Sequence, residues 1–544
     1  MHRILIPTRL AKEGVTLLEE TPGFAVDCRP GLKGKDLHRA LAKADAVIIR
    51  SDNRIDAAAI AAGKRLRLIG RAGVGLENVD LGAASARGIA VVNTPAANSI
   101  AVAELTMAMT LALARKIVPA DRSVRAGRWE KSSLKGNELD GKVLGIVGFG
   151  RIGREVGRRA AAFGMEILTY DPFVSAESAI AAGATLVGLA DLIRRADVVS
   201  LHLPLNEKTR GLFGAAELKR MKRSALLINA SRGGIVEEAA LEEALRAKRL
   251  AGCALDVYES EPPANRWFAD MDNVVVTPHL GASTEESQTK VAVEIAQSVR
   301  LALTQGIYIN AVNLPIADPA NLQSLHPFLA LAERLGVLLR GLEDGPCGAL
   351  TVELGAATIA EARVIQAAAL KGFLSGETDA PITLVNAMPL AAERQIRLSV
   401  VDHSMQPAAA TSLGVRANIG RKQRFARGVV ESGRTIRIQQ IDDFTVDLVP
   451  KGRALIFNNR DRPGVVGAVG GVLGDAGINI ASWLLGRRRR GGTALGVVAV
   501  DDPVPADVMG ALGQLPNMGH VVQVDWEQAA DETSAKKKRK RSKR

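Results

Sequence analysis

Three polar residues of the 544-residue chain each follow a short apolar run: Arg232 in NASRGG after SALLI, Glu261 in DVYESEPP after AGCAL, and His279 in TPHLGAST after NVVV. An imidazole with a pKa near neutrality can take a hydroxyl proton as an alcohol is oxidised and return it when a carbonyl is reduced. A carboxylate beside it favours and orients the protonated ring, and a guanidinium pairs with a substrate carboxylate or polarises a carbonyl. Taken singly, each has an ordinary use as a loop histidine, a clamp between loops or a surface charge. Their shared position raises them above that background, because ligands of open parallel sheets gather beyond the carboxyl ends of the strands.

Upstream lies VLGIVGFGRIGREVGRRAAAFGMEILTYD, in which Gly148, Gly150 and Gly153 satisfy G-x-G-x-x-G between a strand candidate and a helix candidate, with Arg151 and Ile152 inside the motif. A tight turn at Gly148, close approach of a pyrophosphate at Gly150 and close helix packing at Gly153 give each glycine a physical task, with the anion resting on unpaired helix amides. Asp171 ends the next strand candidate, where a carboxylate accepts hydrogen bonds from a ribose and repels a 2′-phosphate, so NAD is expected over NADP. Two further arginines, Arg50 closing DAVIIR and Arg71 closing LRLIGR, also stand at strand ends and suit a small substrate bearing a phosphate or carboxylate.

These residues need a scaffold. In the first 95 residues ILIP, DAVIIR, LRLIG and IAVVNTP alternate with alanine-rich helical stretches, the rhythm of βα units around a parallel sheet. SIAVAELTMAMTLALARKIV reads as one long helix started by Asn98 or Ser99. A second series runs through VLGIVGFG, EILTYD, DVVSLHL, SALLINA, AGCALDV and NVVVTP, so two sheets and two domains with a cleft are expected, followed by a helix from about Glu285 to Leu303. Residues from about 318 to 450 read as an α+β unit, and 453–527 as β-α-β-β-α-β.

No apolar run approaches the ~20 residues of a membrane span, and MHRILIPTRLAKEG lacks the apolar block of a secretory signal, so a cytoplasmic protein is expected. Cys28, Cys253 and Cys347 stand far apart, offer no metal-ligand spacing and read as core residues. The net charge of +13 falls to +1 once KKKRKRSKR at 536–544 and the run Arg487–Arg490 are set aside, so any nucleic-acid contact is expected through the basic tail.

Taken together, GRAGVGLENVD, NTPAANS, GFGRIGREV, NASRGGIV, DVYESEPP and TPHLGAST resemble the D-isomer-specific 2-hydroxyacid dehydrogenases, and among them the long-form enzymes that oxidise 3-phosphoglycerate with NAD at the start of phosphorylated serine biosynthesis. The resemblance covers residues 1 to 527. It implies a catalytic set of Arg232, Glu261 and His279, substrate contacts at Arg50, Ser51, Arg71, Ala72 and Gly73, and Ala230 and Asp256 near the nicotinamide. It also implies two Rossmann-like parallel-sheet domains, the substrate-binding one discontinuous (1–95 and 285–315) around an NAD domain (96–284). An intervening α+β domain (318–450), a ferredoxin-like ACT domain (453–527) and a disordered tail (528–544) follow. A homo-oligomer, dimer or tetramer, is implied, with L-serine as feedback effector at Asp461 and Asn479. Three departures stand out: Asn459 replaces an aromatic or imidazole residue near the effector, Ala97 replaces a glycine, and the basic tail has no counterpart. Turnover of another D-2-hydroxyacid and a nucleotide-sensing corepressor are the competing readings; the complete Arg, Glu and His set argues against the corepressor.

Overall fold

The computed structural model describes residues 1–315, 322–375, 382–406, 409–432 and 435–527. The expected basic tail and its nucleic-acid contact lie outside the described residues, as does the start of the 318–450 segment. The described residues form two compact units, one of residues 10–16 and 94–294, the other of 1–9, 17–93 and the described residues from 295 onward.

The larger unit opens with strands β1 (His2–Ile6), β2 (Phe24–Cys28), β3 (Ala46–Ile49), β4 (Leu68–Arg71) and β5 (Ala90–Asn93), all parallel, in the order β2-β1-β3-β4-β5. Four of these are the apolar runs of the sequence. The fifth, FAVDC, is an edge strand, and the half-buried pattern of an edge left its apolar signal weak. Cys28 at its end is exposed, which corrects the core assignment of that cysteine; Cys253 is buried and Cys347 half-buried.

In the other unit β6 (Val143–Val147), β7 (Glu166–Tyr170), β8 (Thr185–Leu186), β9 (Val198–Leu201), β10 (Leu226–Asn229), β11 (Gly252–Leu255) and β12 (Val274–Val276) form a parallel sheet in the order β12-β11-β10-β9-β6-β7-β8. Strand order reverses between β6 and β9, the kind of switch point at which doubly wound sheets bind ligands. The helix Ser99–Ala114 is buried on most sides, as its uniformly apolar sequence requires. It stops short of the expected end: Lys116 takes a left-handed φ of 52° and a second helix, Ile117–Arg125, departs from it.

Beyond the helix Glu285–Gln305, the larger unit continues with β13 (Cys347–Leu354), β14 (Arg397–Asp402), β15 (Ser412–Ile419), β16 (Lys422–Glu431), β17 (Thr435–Ile441) and β18 (Phe444–Leu448), in the order β14-β13-β15-β16-β17-β18. Helices Leu322–Leu342 and Ala362–Phe373 pack closely together. A Cβ at Gly336 would lie 2.1 Å from the Ala369 carbonyl oxygen, and one at Gly372 2.0 Å from that of Glu333. The C-terminal sheet, β19 (Arg453–Arg460), β20 (Ile480–Arg487), β21 (Thr493–Val500) and β22 (Met518–Asp525), is antiparallel in the order β20-β21-β19-β22. Alternation along β19 divides its side chains. Leu455 and Phe457 pack with the sheet's own helices, while Ala454 and Ile456, with Val524 and Trp526, enter the core built by helix Leu322–Leu342. Trp526 Nε1 donates to the Arg334 carbonyl and Arg334 Nη1 donates to that of Trp526, each at 3.1 Å. The two C-terminal sheets therefore share one core.

Candidate active site

The ends of β10, β11 and β12 each run directly into one of the three chemical residues. After β10, Asn229 shapes the turn: its amide Nδ2 donates to the Arg232 carbonyl at 2.9 Å, and its Oδ1 accepts from Ser231 N–H and Oγ–H. Gly233 follows with no room for a side chain, since a Cβ there would lie 1.7 Å from the Tyr258 carbonyl oxygen. This contact locks the arginine turn onto the turn that carries Glu261. Arg232 Nη1 donates to the Ser231 carbonyl at 2.7 Å, and its charge is felt by both Glu261 and His279.

His279 has a left-handed φ of 55°, a conformation that a non-glycine residue holds only when its surroundings impose it. Asp256 imposes it. This carboxylate is fully buried and accepts from Thr277 Oγ1 at 2.6 Å, Leu280 N at 2.6 Å and Gly281 N at 2.9 Å, while the Asp256 carbonyl accepts from His279 N at 2.9 Å. The loop 277–281 is wrapped around one buried anion.

The ring so presented bonds through Nδ1 to Glu261 Oε2 at 2.7 Å. Glu261 Oε1 accepts from Tyr258 N, and the Tyr258 hydroxyl donates to the Thr277 carbonyl at 2.8 Å, so the glutamate and histidine turns are cross-tied. The Glu261 hydrogen bond raises the His279 pKa above its ordinary value; burial opposes this, the Glu261 and Asp256 charges add to it, and Arg232 works against it. Burial pushes the Glu261 carboxyl up, but its bond to His279, that ring's charge, the Tyr258 amide and Arg232 leave it below the usual carboxylate range. The arrangement is a hydrogen-bonded pair that engages Nδ1, and Nε2 has no hydrogen-bond partner among the described residues. Because only the neutral ring accepts a proton, the acid limb of kcat/KM for alcohol oxidation is expected above pH ~6.5, the ordinary histidine value. Glu261→Gln removes the raising partner and is expected to move that limb to lower pH while lowering the plateau. An unmoved limb in a pH–rate series would show that His279 is not the group titrating.

At the switch point, the glycine loop matches a dinucleotide on steric grounds. Gly148 has φ 94°, and a Cβ on it would lie 2.3 Å from the His202 carbonyl oxygen; one on Gly153 would lie 2.2 Å from that of Gly148. Gly150, at the N-cap of helix Arg151–Ala162, faces open space, leaving a ligand free to approach the amides of Arg151 and Ile152. Asp171 Oδ2 accepts from Phe149 N at 2.8 Å and Oδ1 from Phe173 N at 2.9 Å, so the carboxylate is braced at the end of β7. Ala230 is buried beside the arginine turn. The residues present fit NAD.

Sequence reading passed over Asn229 and His202. Asn229 lay inside the quoted NASRGG, and a buried amide at a strand end was a usable signal. His202, just beyond β9, has its Nε2 2.8 Å from Ser200 Oγ, and burial holds its pKa down to about 4, so it stays neutral beside the glycine loop. Nothing in its sequence neighbourhood marked it.

In the other unit Arg50 and Arg71 end adjacent strands, with Ile49 opposite Arg71 in the β3–β4 register. Arg71 Nη1 donates to the Ala72 carbonyl at 3.2 Å across Gly73, whose φ of 138° leaves space for the guanidinium; Arg50 Nη1 reaches the Arg9 carbonyl at 3.5 Å. Ser51 is exposed and Ala72 buried. Asp461 and Asn479 do not meet within one chain: Asp461 lies beside Gly492 at the start of β21, whereas Asn479 Nδ2 donates to Asp501 just past its end, at 2.6 Å. The full eight-residue length of β21 separates them, roughly 30 Å.

Three family models match in succession: the D-isomer specific 2-hydroxyacid dehydrogenase NAD binding domain at 107–281, the D-3-phosphoglycerate dehydrogenase intervening domain at 324–442 and the ACT domain at 453–517. A D-3-phosphoglycerate dehydrogenase of Archaeoglobus fulgidus is 39% identical over 94% of this chain and 98% of its own. One of Methanocaldococcus jannaschii is 38% identical over 96% and 100%. Among solved structures, the NAD-bound 3-phosphoglycerate dehydrogenase of Entamoeba histolytica matches with a TM-score of 0.50 at 31% identity, covering 57% of this chain and 98% of that one.

Proposed function

The chain belongs to the D-isomer-specific 2-hydroxyacid dehydrogenases in the long, D-3-phosphoglycerate dehydrogenase form, and from that membership we propose which of its residues perform the reaction and how. The reaction is NAD-dependent oxidation of 3-phospho-D-glycerate to 3-phosphohydroxypyruvate, within serine biosynthesis. His279 takes the C2 hydroxyl proton at Nε2, Glu261 holds the ring and stabilises its charge, and Arg232 pairs with the substrate carboxylate and polarises the forming carbonyl. When bound, NAD supplies the acceptor for the C2 hydride. Gly148, Gly150, Arg151, Ile152 and Gly153 receive its pyrophosphate, Asp171 its ribose hydroxyls, and Ala230 lies near its nicotinamide. Asp256 acts on this chemistry through the loop it holds. The observation carrying the reading is the 2.7 Å bond between His279 Nδ1 and Glu261, which leaves Nε2 as the proton-transfer atom.

Arg50 and Arg71, with Ser51 and the backbone of Ala72 and Gly73, take the substrate's phosphate. Charge-assisted hydrogen bonds contribute about 1.5–3 kcal/mol each, so glycerate, which lacks the phosphate, is expected to have a kcat/KM at least about tenfold lower. Steady-state assays with 3-phosphoglycerate, glycerate and 2-hydroxyglutarate, each with NAD and with NADP, test substrate and coenzyme together. Equal values for glycerate and 3-phosphoglycerate would remove the phosphate role of the two arginines, and equal use of NADP the discriminating role of Asp171.

Among the described residues no helix is long and apolar enough to cross a membrane, and a cytoplasmic location is part of this reading. So is a homo-oligomer, dimer or tetramer: Ile117, Val118 and Val124 are exposed on one segment with Trp129, 83% exposed, an apolar arm of the kind that interfaces cover. The ACT domain takes an amino-acid effector, L-serine among the candidates, with Asp461 pairing its ammonium. The ~30 Å between Asp461 and Asn479 supports a site completed by a second copy of the chain. The domain limits stay as expected from the sequence, 1–95 with 285–315, 96–284, 318–450 and 453–527.

A further inference from the structure

The ACT effector loop is more basic than a zwitterion requires. Asp461 follows β19, and its N–H donates to the Gly492 carbonyl while its Oδ2 accepts from Gly491 N at 3.1 Å. The loop 458–464 is thereby joined to the turn 486–492, and the two together carry six arginines, Arg460, Arg462 and Arg487–Arg490, against a single aspartate. Arg487 pairs with Asp461 at 3.2 Å, and Arg488 reaches Asp443 at 3.1 Å. Arg490 lies close enough for its charge to act on Asp461, whereas Arg462 and Arg489 have no ion-pair partner among the described residues. Two more observations mark a ligand position. Asn459, 5% exposed, has a buried Oδ1 with no hydrogen-bond donor among the described residues, near the end of β19 and two residues before Asp461. A Cβ at Gly464 or Gly491 would meet nothing within 4 Å, so space beside both loops is open.

We propose that this site takes an amino acid whose side chain ends in a phosphate, rather than a bare zwitterion; the proposal rests on the ACT effector reading and narrows it. The ligand ammonium replaces Arg487 at Asp461 and gives the Asn459 oxygen its donor. Arg487, so released, turns with Arg489 and Arg490 to the phosphate. One ion pair is exchanged for several, and the excess positive charge of the two loops is partly neutralised. A neutral side chain makes the first exchange and leaves the excess in place.

Calorimetry on the full chain with O-phospho-L-serine, L-serine and inorganic phosphate tests this. O-phospho-L-serine is expected to bind at least about tenfold more tightly than either of the others in ~50 mM salt, an advantage that shrinks as salt screens the arginines. In the double variant Arg489→Ser/Arg490→Ser, both positions being exposed, the advantage over L-serine is expected to collapse while L-serine affinity holds. L-serine binding as tightly as its phosphate ester overturns this proposal alone. No binding by either amino acid overturns the effector reading with it. Phosphate binding as tightly as the ester, or preference surviving the double substitution, shows that the arginines do not read a phosphorylated amino acid.

Discussion

His279→Ala is expected to lower kcat about 10²- to 10⁴-fold, the usual worth of a positioned general acid or base, with NAD affinity nearly unchanged. The separation follows from the fold. His279 stands beyond β12, while the glycine loop and Asp171 stand at β6 and β7, four and five strands away in the sheet. Fluorescence titration with NADH beside steady-state kinetics measures both quantities on one sample. Turnover within a few-fold of the parent, with cofactor binding intact, would move proton transfer to another group.

The second large effect belongs to a residue whose carboxylate is turned into the loop. Asp256→Asn keeps the volume but replaces one acceptor oxygen with an NH₂ group facing the amides and hydroxyl that the carboxylate now accepts from. Leaving such buried donors unpaired costs about 1–3 kcal/mol each, and they tie down both sides of His279, which sits at positive φ. Misplacement of a catalytic group by ~1 Å can cost 10²-fold, so kcat is expected to fall by roughly that factor with a lowered melting temperature. If both stay at parental values, the loop is held by something other than Asp256.

How far these roles could be read in advance depends on where the physics is written. The glycine fingerprint was legible because steric demands fall on fixed positions: Gly148 and Gly153 have carbonyl oxygens where a Cβ would go. Arg232, Glu261 and His279 were legible as strand-end residues, because the apolar runs before them are true strands. The bracing of the histidine loop was not, since Asp256 works through main-chain amides more than twenty residues away, and any sequence supplies amides. The break at Lys116 was hidden for a similar reason: alanine and leucine propensity favours continuing a helix, whereas the Ala114 carbonyl is taken by the distant Asn137 amide at 2.8 Å. The distance between Asp461 and Asn479 emerged only once the strand register was known.

The Trp526–Arg334 clasp and the core behind it bear on how a signal is stored. Two sheets that draw on one set of buried side chains gain and lose their packing together, so the C-terminal third is one cooperative folding element rather than two beads on a string. Binding energy released at the arginine-rich turn is then shared out as rigidity along helix Leu322–Leu342 and the strands beneath it, because local opening of either sheet must break contacts belonging to both. What the ACT sheet gains in order, its neighbour gains too.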